Sequence, residues 1–83
     1  MLYAERMSFA MSHSIRSKLI RLLQSITGSD FISLENLYDM YAKRFPEDYK
    51  GKHLLHSLAF SNEAPSNEDM AELIQHLVSH KKL

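Results

Sequence analysis

Cysteine is absent from this chain of 83 residues, glycine and proline occur twice each, and neither sign of charge is in excess. Each shortage removes a class of answer. Without thiols there is no disulfide framework and no thiolate metal site. A chain of this length buries only a modest share of its unfolded surface. Its stability must therefore come from helix packing, a histidine-held metal or self-association. The lack of cysteine fits a reducing compartment, and the expected location is cytoplasmic. Two glycines cannot build a phosphate-cradling loop. Ten basic side chains balanced by ten acidic ones argue against a strong non-specific grip on nucleic acid or anionic lipid, because that grip scales with the phosphates neutralised. No apolar run approaches the roughly 18 residues of a membrane span. The opening MLYAERMSFAMSHSIR is interrupted by Glu5 and Arg6 and does not read as a cleaved signal peptide.

What is present is helical periodicity. Apolar residues make up 45% of the chain and charged ones 24%, the balance of a globular domain and not of a disordered one. They recur at three- and four-residue intervals, and no segment alternates with period two. The expectation is an all-α single domain over 1–83, a bundle of about four amphipathic helices. Ile15, Leu19, Leu22, Leu23 and Ile26 share one face of the first, and Gly28 can supply the left-handed residue that ends it. The stripe extends backwards through Tyr3, Met7, Ala10 and Met11, so this helix covers about 2–27. It is either one rod or two helices broken near 12–14, and the serines there favour the break. The second, about 34–45, carries Leu34, Leu37, Tyr38, Tyr41, Ala42 and Phe45. Ser33 stands at its cap position and Pro46 at its stop. The third, about 52–60, has a short face of Leu54, Leu55 and Leu58, with Gly51 lowering helix propensity before it. The fourth, about 67–80, carries Met70, Leu73, Ile74, Leu77 and Val78 behind Ser66 and Asp69, which stand in a capping-box arrangement.

Four of the five histidines fall in two close pairs, His53 with His56 and His76 with His80. Glu72, His76 and His80 are spaced by four and form one row, the spacing at which two imidazoles and a carboxylate can share a metal. The set His53, His56, Glu72, His76 and His80 is thus the candidate metal site. No H-E-x-x-H motif supports it, and the expected cofactor is none. Helical-wheel placement puts His80 at the border of the apolar stripe, His76 further out, and His53 and His56 opposite the leucine face. That is the pattern of solvent-facing histidines. Titration of such imidazoles would also make any interface rimmed by them sensitive to pH.

Catalysis has no visible constellation. The serines lie in no G-x-S-x-G turn. The acidic pairs Glu47–Asp48 and Glu68–Asp69 adjoin expected helix starts, where the helix dipole accounts for them. The chain is expected not to be an enzyme.

Two binding classes remain. In SKLIRLLQSITGSDFISLENLYDMYAKRF, a helix, a glycine-containing joint and a second amphipathic helix follow one another like a helix-turn-helix. Arg16, Lys18, Arg21, Lys43 and Arg44 are its candidate nucleic-acid contacts. Glu35 and Asp39 on the second helix fit phosphate poorly, and the joint is longer than the usual three or four residues. Leu19 to Phe45 resembles the early helices of the LOTUS winged-helix module, but the later hairpin and glycine–phenylalanine signature are missing, and no membership is assigned. The other class is protein–protein interaction. Methionines and aromatics, among them Phe9, Met11 and Phe60, exceed what four short helices can hide, and such side chains suit interfaces. The leading expectation is a small non-enzymatic regulatory or interaction protein acting through helix-mediated contacts, as a homodimer or on another protein. Its contact stripe would run along Tyr3, Met7, Met11, Ile15 and Leu19. A DNA-binding regulator is the alternative, and no membrane partner is expected.

Overall fold

The computed structural model describes the backbone of residues 4–80 and the side chains of residues 15–80. Within that span lie four helices and no strand: α1 (Ala4–Thr27), α2 (Leu34–Arg44), α3 (Tyr49–Ala59) and α4 (Asn67–Ser79). The all-α expectation holds.

The break expected in the first helix is not there. α1 runs continuously for 24 residues. The serines near its middle lower helix propensity by only a few tenths of a kcal/mol each, and no glycine or proline falls inside the segment to stop it. At about 1.5 Å per residue it is roughly 36 Å long, about twice the length of α2 or α3. It ends where Gly28 takes φ of +70°, and the Ser29 N–H closes on the Gln24 carbonyl at 3.1 Å in the manner of a Schellman end. The Gln24 side chain then donates to the Phe31 carbonyl at 2.9 Å, tying the following loop back to the helix.

α2 begins where the Ser33 hydroxyl accepts from the Asn36 N–H. It stops at Phe45, which leaves helical geometry ahead of Pro46. α4 begins in the same way, with Ser66 accepting from the Asp69 N–H at 3.0 Å. α3 starts three residues before its expected position. Asp48 caps it by accepting from the Gly51 N–H, which places Gly51 in the first turn. There, one of the N–H groups that a helix start always leaves without an intrahelical partner finds a carboxylate.

Each helix contributes to one core: Leu19, Leu23 and Ile26 from α1; Leu34, Leu37 and Tyr41 from α2; Leu55 and Leu58 from α3; Met70, Leu73 and Leu77 from α4. The helices close a ring in which α1 packs on α2 and α4, and α3 packs on α2 and α4. α1 and α3 are therefore diagonal. Core positions three or four apart on each helix turn one stripe inward.

Candidate functional site

Three helices meet on one carboxylate. Tyr41, fully buried on α2, donates its phenol proton to Oδ2 of Asp48. Gly51 of α3 donates its backbone N–H to Oδ1 at 3.3 Å. From α4 the Nε2 of His76 lies 2.9 Å from Oδ1 and 3.0 Å from Oδ2. His76 is buried, and the Asp48 side chain is only 10% exposed. Burial alone would raise the Asp48 carboxyl above the usual range. The hydrogen bonds from Tyr41, His76 and Gly51 outweigh it and hold the group below its ordinary value. Asp48 is therefore ionised, and His76 must carry a proton on Nε2. Burial pushes the Tyr41 phenol up, and its hydrogen bond to the charged Asp48 pushes the same way.

This trio contains the residue types of a general-base relay but is arranged as a clamp. Both carboxylate oxygens are taken by donors, and the imidazole nitrogen that faces Asp48 is committed to it. The ring of His80 also lies against His76, with centroids 4.2 Å apart, and His80 Nδ1 lies 3.1 Å from the His76 carbonyl oxygen. The clamp fastens the turn between α2 and α3 to the C-terminal end of α4.

Helical-wheel reasoning put His76 on the outer flank of α4, and the structure corrects this: it is buried and bonded. Glu72, His76 and His80 do line one shallow groove together with Lys50. His53 points to solvent. His56 sits in an aromatic cluster, 5.2 Å from the Tyr38 ring and 4.7 Å from that of Phe60. Among the described residues, no three His, Asp or Glu side chains stand close enough to hold a metal ion.

Of the expected contact stripe, Tyr3 and the side chains of Met7 and Met11 lie outside the described residues, as does that of Phe9. Ile15 is half-buried against the core and Leu19 is fully buried in it. The described part of the stripe thus faces the chain's own interior, and Leu19 is not available to a partner. The reason is that α1 spends this face on α2 and α4. Arg16, Lys18, Arg21, Lys43 and Arg44 are all exposed. Arg16 and Lys18 stand about 160° apart around α1 at the usual 100° per residue, so they do not form one basic stripe.

The exposed apolar groups lie elsewhere. Ile32 is 72% exposed, Phe31 42% and Phe60 49%, with Tyr49 and Val78 more than half exposed. Tyr49 carries the Lys52 ammonium 4.9 Å from its ring centre. Phe60 was legible as an outlier in the sequence. Phe31 and Ile32 were not, because they fall in the joint between two periodic segments, where no stripe assigns a side. Ile32 stands on the rim of an open groove of about 470 Å³, with Leu34, Leu58 and Ala59 along it. Arg16, Glu35 and Glu63 border the same groove.

Comparison with protein families, with curated proteins and with solved structures gives no match. Among the described residues no helix is long and apolar enough to cross a membrane.

Proposed function

We propose that this is a small non-enzymatic interaction protein that works through contacts of its helical surface, as a homodimer. The observation that carries the reading is the exposure of Ile32 on the rim of a groove whose wall alternates Leu34, Leu58 and Ala59 with Ser33, Ser61 and three charged side chains. A large apolar side chain left exposed on the rim of a concavity suits a contact site better than one standing alone on a convex face. The contact surface differs from the stripe expected on α1 and centres on the α1–α2 loop and the end of α3.

The helix-turn-helix alternative has less support, since Arg16 and Lys18 occupy opposite flanks of α1. Light scattering over a range of concentrations tests the homodimer. The expected mass is twice the 9.6 kDa of the chain. A single-chain mass at every concentration rejects it.

A further inference from the structure

The groove beside Ile32 also says what kind of surface fits it, an inference that rests on the homodimer reading. Leu34 and Leu58 are nearly buried along its length, while Ile32 on its rim is not. An apolar knob therefore stands beside a hole with an apolar strip, Leu34, Leu58 and Ala59, bordered by polar side chains. Two copies related by a two-fold axis can place each knob in the other's hole, which is the geometry of an isologous contact.

Charge points to the same occupant. Arg16 and Glu63 border the groove with opposite signs, and no ion pair to either is formed among the described residues. Glu35, the third charge there, is already hydrogen-bonded to the cap hydroxyl of Ser33 at 2.8 Å. A purely acidic or purely basic partner would satisfy one of the two free charges and strand the other, which is costly in a desolvated contact. A second copy supplies both signs by symmetry. The zero formal net charge of the chain places no long-range repulsion between copies.

We infer that a second copy of this chain seats its Ile32 in the groove floored by Leu34, Leu58 and Ala59, with Arg16 of each copy against Glu63 of the other.

The test uses the full chain and three variants, Arg16→Glu, Glu63→Arg and Ile32→Asp, followed by sedimentation velocity. All three side chains are exposed, and circular dichroism checks that each variant keeps its helices. Each variant is expected to weaken self-association about tenfold or more. Mixing Arg16→Glu with Glu63→Arg in equal amounts is expected to restore a dimer, because both salt pairs across the two-fold then join opposite charges. Rescue in trans is a result that a role within one chain cannot produce. A wild-type dimer untouched by all three variants overturns the groove assignment and leaves the homodimer standing. Loss of the dimer without rescue on mixing overturns the Arg16–Glu63 pairing. A wild-type chain that stays monomeric overturns both readings.

Discussion

His76 on α4 reaches both oxygens of Asp48, 28 positions earlier in the chain, from a single imidazole nitrogen: 2.9 Å to Oδ1 and 3.0 Å to Oδ2. The same carboxylate holds the Tyr41 phenol and caps α3. One ionised side chain therefore connects three of the four helices. Against a core that has 11 buried apolar residues among those described, such a connection restricts how α4 can dock, since only one register of α4 brings His76 to the carboxylate.

Removing the carboxylate should leave a phenol, an imidazole and a helix-start N–H without their acceptor. Asp48→Ala is expected to cost about 3 kcal/mol, the order seen when hydrogen bonds to a buried charged group are lost. Urea unfolding at neutral pH measures it. A cost under about 1 kcal/mol would mean that water replaces the network without penalty.

Acid should weaken the fold through the same group. The Asp48 carboxyl is held below its usual value in the folded chain, against about 3.9 when unfolded. A depressed folded value contributes stability that is fully present above the unfolded value. That stability is lost as pH falls through the folded one. Stability is thus expected to drop below about pH 4, and Asp48→Asn is expected to flatten the drop. The contact does not require a charged histidine, because the neutral Nε2–H tautomer also donates. Glu35 is also lowered, by its hydrogen bond from Ser33, but it is fully exposed and should contribute little. Urea midpoints between pH 3 and 7 for wild type and Asp48→Asn separate the two carboxylates; an equal slope in both proteins would remove Asp48 from this role.

Gly51→Ala should destabilise although alanine favours a helix by about 1 kcal/mol over glycine. A methyl group there would overlap Oδ2 of Asp48 and lie 2.8 Å from the Tyr41 phenol oxygen. The clamp must open to admit it, and a net loss of about 2 kcal/mol is expected from strain and broken bonds. Thermal unfolding gives the sign directly, and a higher melting temperature in the variant would contradict the packing described at Gly51.

Gly28→Ala should cost about 1 kcal/mol for a different reason. An added methyl meets nothing within 4 Å, but φ is +70°. The penalty is therefore in the backbone alone, and Gly28→Asn, which tolerates that region better, is expected to cost less. Comparing the two variants by thermal unfolding checks the cause as well as the size.

Much of this architecture was readable before any fold was seen. The stripe Leu34, Leu37, Tyr41 predicted the inner face of α2, and Ser33 and Ser66 predicted the caps, because both signals act within one or two helical turns. The candidate site was less readable. Asp48 was recognisable as a residue near a helix start, yet nothing nearby in the sequence marks it as the acceptor for Tyr41 and His76. His76 lies beside Leu77 on the edge of a stripe, and only the approach of α3 turns that edge inward. Leu19, expected on a contact stripe, is buried in its own chain for the converse reason: an apolar stripe specifies what must be covered, but not whether its own chain or another covers it.

The sequence by itself determined the all-α class, the inner stripes, the caps at Ser33 and Ser66, the stop at Gly28 and the absence of thiol chemistry, since these follow from periodicity, capping and composition. Tertiary structure alone decided that a histidine would be buried, that α1 would turn Ile15 and Leu19 inward, and that Ile32 would stand out beside a groove. Those outcomes depend on which surfaces meet after the chain has folded back on itself. Residues tens of positions apart, such as Asp48 and His76, leave no mark on one another in the linear order.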